Sequence, residues 1–473
     1  MAKPIPFVGA PGQRATGITD QRFVNVLFEV DKNPSPTSYP VECVKRPGLL
    51  NSTQPPGGAA VGRGLYAWGA TSKIYSVFGH KVYSDTTDLS VSLSASLGRV
   101  WFAERHVDTG ARNLIISDGS DNYNIPTTDS ISLVDESNDA QYPVNNLGPI
   151  VLMEGYIFQA QSNGKIWNSD LNSAVAWTAT SFLTADTHGG DLEAIAVQKD
   201  QIIAFTKNRV EFFFNNGNPT DSPLLRIDQN TLGFGIASKN SLAISGETLC
   251  FVSQNSSDGD GGRRVFMITS LGKVTEISTP NINRFLAAEG TTISTCSAWM
   301  ERVAGQLVYV LNLDSAERTF VYSVETSLWC EWEAAAGGAK FNGIAATSLN
   351  GTVYLQDVSN GRIYTFPPTT YQDLEVDFTV TLQTARSNFG SGDIKFEPRL
   401  DVIGDTTTGT LGVQTSDDDF SAFTAVRTID MTLPVKRLTR LGSFYARSHK
   451  FTYTHNDDFR VQAYLPETQD GTK

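Results

Sequence analysis

Short runs of Val, Ile, Leu, Tyr and Phe, bounded by Gly, Pro, Ser, Thr, Asn or Asp, follow one another along almost the whole chain. Runs of this length, spaced about 8–12 residues apart, predict strands joined by turns, and few stretches hold the 3.6-residue period of a helix. Within that pattern one unit returns. An apolar run leads to a turn, then a basic or polar residue, then a β-branched or polar one, then usually an aromatic. It is found at Gly79-His80-Lys81-Val82-Tyr83, Gly119-Ser120-Asp121-Asn122-Tyr123 and Asn163-Gly164-Lys165-Ile166-Trp167. It continues at Lys207-Asn208-Arg209-Val210-Glu211-Phe212, Gly261-Gly262-Arg263-Arg264-Val265-Phe266, Glu317-Arg318-Thr319-Phe320 and Asn360-Gly361-Arg362-Ile363-Tyr364. From Lys81 through Asp121, Lys165, Arg209, Arg264 and Arg318 to Arg362 the intervals are 40, 44, 44, 55, 54 and 44 residues.

Each unit is therefore a predicted hairpin. A further strand lies upstream in several, as in Val100–Ala103, Ala194–Val197 and Gly343–Ala346. A period of 40–50 residues with three or four strands predicts β-propeller blades, because one blade cannot bury its own faces and must stack on neighbours. The two long intervals are expected to carry loop insertions such as Ser256–Gly262; stacked sandwiches are the alternative. After Phe366-Pro367-Pro368 the rhythm changes to longer alternating strands: Val376–Leu382, Leu400–Ile403, Leu411–Thr415, Phe451–Thr454 and Phe459–Tyr464. The fold class expected is all-β: an extended N-terminal arm over 1–59, a propeller of about seven blades over 60–366, and a β-sandwich-like domain over 371–473.

Charge and composition narrow the function. The 473 residues carry 37 basic and 50 acidic side chains, a net −13, which disfavours a nucleic-acid grip or an anionic-membrane binder. No apolar run approaches the ~18 residues of a membrane helix, and the N-terminus lacks the apolar stretch of a secretory signal. Four scattered cysteines, Cys43, Cys250, Cys296 and Cys330, read as buried and reduced.

Motifs for chemistry fail one by one. No phosphate-cradling Gly-rich loop with a lysine exists, and Gly233-Phe234-Gly235 lacks both a third glycine and a following helix pattern. Asp258-Gly259-Asp260 begins like a calcium loop, but the twelfth position is Thr269 rather than a glutamate. A glycosidase-type propeller needs two facing carboxylates, and nothing singles a pair out. No cofactor, metal or catalytic residue is expected. Leu328-Trp329-Cys330-Glu331-Trp332 reads as blade packing ahead of a sugar-stacking platform. The segment from Met431 to Lys450 holds Lys436, Arg437, Arg440, Arg447 and Lys450 with no acidic residue beyond Asp430. It is either a solvated face or an electrostatic latch onto an acidic subunit or partner, with DNA contact the remaining reading.

Several segments together resemble the tail-nozzle proteins of short-tailed bacteriophages, also called packaged-DNA stabilisation or tail-hub proteins. They are Gln21-Arg22-Phe23-Val24-Asn25-Val26-Leu27-Phe28-Glu29, Val44-Lys45-Arg46-Pro47-Gly48-Leu49, Leu114–Gly119, Lys207–Phe214, Thr231-Leu232-Gly233, Tyr322–Trp332 and the basic C-terminal hairpin. The resemblance implies a structural virion protein in the phage tail, made and assembled in the host cytoplasm. It implies a hexameric ring extending the portal and adaptor channel, retaining packaged DNA and conducting it during ejection, with a tail spike or fibre and a needle or plug as further partners. DNA would pass without sequence-specific binding. The alternative is a propeller that recognises a protein or glycan as a fibre or receptor-binding component.

Overall fold

A computed structural model describes residues 5–7, 21–30, 40–52, 60–106, 112–173, 175–185, 191–218, 220–255, 259–269, 272–335 and 340–471. Seven four-stranded antiparallel blades follow the chain. Blade 1 is built from Gly62–Trp68, Lys73–Phe78, Lys81–Ser84 and Thr87–Ser92. Blade 2 begins at Trp101–His106, blade 3 at Asn146–Met153 and blade 4 at Leu192–Gln198. In blade 5 the innermost position is shared by Gly235–Ile236 and Ala243–Ser245, both paired with Thr248–Asn255. Blade 6 starts at Ser297–Val303, and blade 7 contains Gly343–Leu349, Thr352–Asp357 and Ile363–Thr365. The inner strands of blades 7 and 1 lie side by side, so the ring is closed.

Six of the seven repeat markers fall at the junction of the second and third strands of a blade. The fifth is displaced: Gly261 to Phe266 lies inside the strand Gly259–Thr269, not in a turn. Of the insertion expected at Ser256–Gly262, 256–258 lie outside the described residues and 259–262 belong to that strand; the two long intervals also hold other elements. One contains the turn Lys239–Ser241 that splits the first strand of blade 5. The next contains the helix Pro280–Ala288 and the 3₁₀ turn Gly290–Thr295, leading into blade 6. The helix has a readable start, since Thr279 caps it through the Ile282 amide with Pro280 at its first position. Ile282 and Leu286, four apart, face the core.

Apolar residues of facing blades fill the gaps between sheets, and buried amides stitch the blades together. Asn122 donates to Gln159 Oε1 at 2.7 Å between blades 2 and 3. Gln198 donates to Ile268 O at 3.2 Å between blades 4 and 5. Asn312 donates to Gly343 O at 2.8 Å between blades 6 and 7, and Gln356 donates to Val77 O at 2.8 Å across the closure. A buried amide must find partners, so these bonds fix the blade register as well as adding stability. Gly235 belongs to the same packing logic: a Cβ there would stand 2.0 Å from Thr206 O of blade 4. That close approach, not a dinucleotide, accounts for the glycine.

The described parts of the first 59 residues do more than lie along the surface. Leu50–Asn51 is the outer strand of blade 7, so the N-terminal part of the chain completes the last blade. Upstream, Ile5–Pro6, Val26–Val30 and Val41–Lys45 enter a sheet with Arg460–Asp470, Lys395–Gly404, Lys436–Thr439 and Ser443–Phe444. The opposing sheet is Arg22–Val24, Val380–Gln383, Ser448–Tyr453, Thr410–Ser416 and Arg427–Asp430. These two sheets pack face to face as a sandwich around Phe7, Phe28, Leu400, Leu411, Phe451, Tyr453 and Val461. The second sheet is continuous with blade 6, because Val24 pairs in parallel with Glu331. One apolar core accordingly runs from Trp299, Val310 and Trp332 of blade 6 into the sandwich. Among the described residues no helix is long and apolar enough to cross a membrane, and all four cysteines are buried and free.

Candidate functional site: the propeller–sandwich junction, the basic strip and the axial cavity

The junction is assembled from two short N-terminal segments. Arg22–Val24 and Val26–Val30 lie in different sheets of the sandwich, and Asn25 between them turns the corner at φ 58°. Asparagine tolerates that left-handed conformation better than most residues, and here its amide also bonds on both sides. Its Oδ1 accepts from Arg46 Nε at 3.0 Å and from the Glu333 amide at 2.9 Å, while Nδ2 donates to Thr379 O at 2.9 Å. Arg46 is fully enclosed, with side-chain exposure 0%. Its guanidinium forks onto Asp373 at 2.9 and 2.6 Å, donates to Pro47 O and Glu333 O, and lies 3.9 Å over the Phe378 ring. Gly48 then passes so close to Gln372 that a Cβ would sit 2.0 Å from its carbonyl oxygen. One arginine thus holds blade 6, the segment after blade 7, and both sandwich sheets.

Trp329 and Trp332 belong to this packing. Trp332 is fully buried against Phe341, ring centroids 5.3 Å apart, and Trp329 packs on Tyr322 and donates to Ile277 O at 2.6 Å. Trp332 therefore presents no face for a sugar, and Trp329, half-buried, is held by blade packing.

Lys45, next to Arg46, is also buried, donates to His455 O at 2.6 Å and lies 4.4 Å over Phe378. Burial pulls its ammonium from the ordinary 10.5 down to about 8, with Asp377 opposing the shift. Between pH 8 and 10.5 the unfolded chain therefore holds a proton that the folded chain has released, so stability from this site rises with pH. Urea midpoints of the wild type and Lys45→Met, compared at pH 7.5 and 9.5, should move in the wild type's favour at the higher pH. An unchanged difference would mean that Lys45 is not desolvated as described.

The five basic residues of the C-terminal strip do not form one face. Lys436 is buried and donates to Leu433 O at 3.3 Å. Arg437 is exposed and forks onto Asp401 at 2.7 and 2.9 Å. Arg440 is exposed in the following turn at φ 61°, with no carboxylate partner among the described residues. Lys450 is half-buried, 5.2 Å over the Phe423 ring. Arg447 points inward. Its guanidinium binds Glu397 at 3.0 Å and forks onto Asp417 at 2.7 and 2.8 Å, and Glu397 also meets His449 Nε2 at 2.9 Å. Glu397 and His449 are both fully enclosed. The strip is thus divided between an internal ion cluster and a short exposed basic stretch at Arg437 and Arg440. Sequence alternation could not show this, because the chain passes through three strands, Lys436–Thr439, Ser443–Phe444 and Ser448–Tyr453, in two different sheets.

The inner strands of the seven blades surround an axial cavity of about 590 Å³. That is the size of a small-molecule pocket, and it is far too small to pass a duplex. It is also crossed at one end. Arg99 of blade 2 donates to Asn240 O at 3.2 Å and Leu242 O at 3.0 Å of blade 5, and Lys239 donates to Leu147 O of blade 3 at 2.5 Å.

With this geometry the chain can be set beside known proteins. A family model described as "Bacteriophage P22 Gp10, beta-propeller" matches residues 17–371. The chain belongs to that family. It is a phage tail-nozzle or stabilisation β-propeller and a structural component of the virion. The match takes in Asn25, Arg46 and all seven blades, and ends just before Asp373. No curated protein sequence matches. Solved structures that are similar include a streptogramin B lyase, at 10% identity and TM-score 0.41 over 67% of this chain and 95% of that one. The RRP9 WD40 repeats are similar at 10% identity and TM-score 0.41 over 68% and 99%. BBS1N in complex with ARL6DN is similar at 14% identity and TM-score 0.41 over 68% and 98%. Likeness at this level says nothing about activity.

Proposed function

We propose that this family member assembles as a hexameric ring that extends the portal and adaptor channel, retains the packaged genome and conducts it during ejection. The observation that carries the reading is the family match over 17–371, and the electrostatics support it. Six copies at −13 each bring −78 formal charges around the passage. A wall poor in cations leaves phosphates unpaired, so the duplex is not held in transit. The narrow and crossed propeller axis supports a conduit running between subunits and not through any one of them. Assembly takes place in the host cytoplasm, and the spike or fibre and the needle or plug are separate chains.

Such a ring must overcome its own repulsion, and the exposed stretch at Arg437 and Arg440 is our candidate for facing an acidic surface of a neighbour or adaptor. Exposed pairs give only about 0–1 kcal/mol each and are screened by salt, so several must act together. Arg437→Glu with Arg440→Glu should leave the circular-dichroism spectrum unchanged and reduce ring formation in sedimentation velocity at low salt. High salt should partly reproduce that loss in the wild type. Normal assembly of the double variant at low salt would make the stretch an ordinary solvated face. Arg447 is left out of the variant because its charge is internal.

The proposal as a whole is tested by sedimentation equilibrium of the pure chain, alone and with its adaptor. Six copies per particle are expected. A monomer under both conditions would sink the reading.

A further inference from the structure

The axial cavity has a built asymmetry. Its crossed end is filled by Lys239–Leu242, whose carbonyls take up the Arg99 guanidinium, and Tyr309 donates to Ser241 O at 2.8 Å beneath the same turn. The opposite end is marked by residues farther along the inner strands: Tyr66, Glu104, Ser245, Glu301 and Thr347. They share one level, since Thr347 Oγ1 accepts from the Ala67 amide at 3.1 Å and the Tyr66 phenol is hydrogen-bonded to Glu104. The cavity is therefore narrowed by crossing contacts at the Lys239–Leu242 end and opens towards the opposite face of the propeller.

Its wall is apolar, with Trp101, Phe102, Ile150, Ile195, Ile244 and Met300 among the lining residues. Tyr66 and Phe102 stack at 5.4 Å. The charged groups that line it are Arg99 at the crossed end, Glu104 and Glu301. The cations nearest the open end are turned away from it. Arg105 donates to Asn172 O, and Arg302 pairs with Glu325 at 3.0 Å. A cup with stacked aromatic rings, an apolar wall between its ends and two carboxylates at the mouth is complementary to a cation on an apolar stem. Carboxylates attract the charge, ring faces stabilise it, and the wall takes the stem.

We infer that the axial cup is a binding site for an ammonium or guanidinium group carried on an apolar stem. Such a group occurs as a free organic amine or as a lysine or arginine flanked by apolar residues on a partner's loop. The inference goes beyond the nozzle reading and does not depend on ring formation.

The test is isothermal titration of the full chain with three probes of one shape: 4-phenylbutylammonium, 4-phenylbutanol and 4-phenylbutyrate. The ammonium should bind at least tenfold tighter than the alcohol, and the carboxylate should bind weakest. Glu104→Gln with Glu301→Gln should remove the preference for the cation while leaving the alcohol unchanged. Ile244→Trp, at a side chain 41% exposed and so able to change without disturbing the core, should narrow the cup and weaken binding of all three. A fourth probe, the blocked tripeptide Phe-Lys-Phe, separates the sources. Binding comparable to the amine assigns the cup to a partner's loop, and binding of the amine alone assigns it to a small molecule. If the ammonium binds no better than the carboxylate, or Ile244→Trp leaves titration unchanged, the inference is wrong.

Discussion

Replacing Arg46 with alanine should cost about 3–5 kcal/mol, the scale seen when one partner of a buried ion pair is removed. The loss is large because the guanidinium has no solvent to fall back on and neither do its partners. Asp373, itself largely buried, would keep its charge without a counter-ion, and Asn25 Oδ1 would lose one of its two donors. The rings around the guanidinium, Phe378 and Phe341, would face a void. Arg46→Lys should recover part of the loss, since an ammonium restores charge but cannot fork onto both carboxylate oxygens. Asp373→Asn in the Arg46→Ala background should recover part by removing the stranded charge. The measurement is the urea midpoint of each variant, followed by limited proteolysis. If this arginine is the junction's central contact, cleavage between blade 7 and the sandwich should become faster. An alanine variant within about 0.5 kcal/mol of wild type would contradict the junction described above.

Arg447→Ala is the second large effect, again about 3–5 kcal/mol. Here the stranded group is Glu397, enclosed with His449 between the two sandwich sheets. The control is built into the same segment. Arg440→Ala should change stability by no more than about 0.5 kcal/mol, as expected of a surface position away from special features. A strip acting as a uniform basic face would give similar small values at both positions. Unequal values, with the cost at Arg447, separate the internal cluster from the exposed stretch and fix which residues an assembly variant can use.

How much of this was legible in the sequence depended on range. Blade hairpins were readable because their information is local: turn residues at Gly79, Gly119, Gly164 and Gly361 sit between the two strands they join, and each of these glycines has positive φ. Four cysteines read as buried and reduced are so placed. The sandwich's N-terminal half was not readable, because Ile5 pairs with Tyr464 and Cys43 with Val461, and nothing local encodes a partner over 400 residues away. The motif residues Asn25, Arg46 and Gly48 were visible as a resemblance, but their work only emerges when four chain segments converge on one guanidinium. The helix after Thr279 was missed although its cap and proline were in view, since nine residues give only about two and a half turns of periodicity. The basic strip misled for a physical reason. Counting charges along a chain ignores which sheet each strand joins, and Arg447 lies inside while Arg440 lies outside.

Electron microscopy of the assembled tail, with this chain located in the averaged map, decides whether it is a structural ring component of a phage tail. A six-fold ring of seven-bladed propellers is expected, with the duplex passage between subunits and each propeller's own axis closed to it. A single copy at a fibre tip, or DNA density threading a propeller axis, would contradict it.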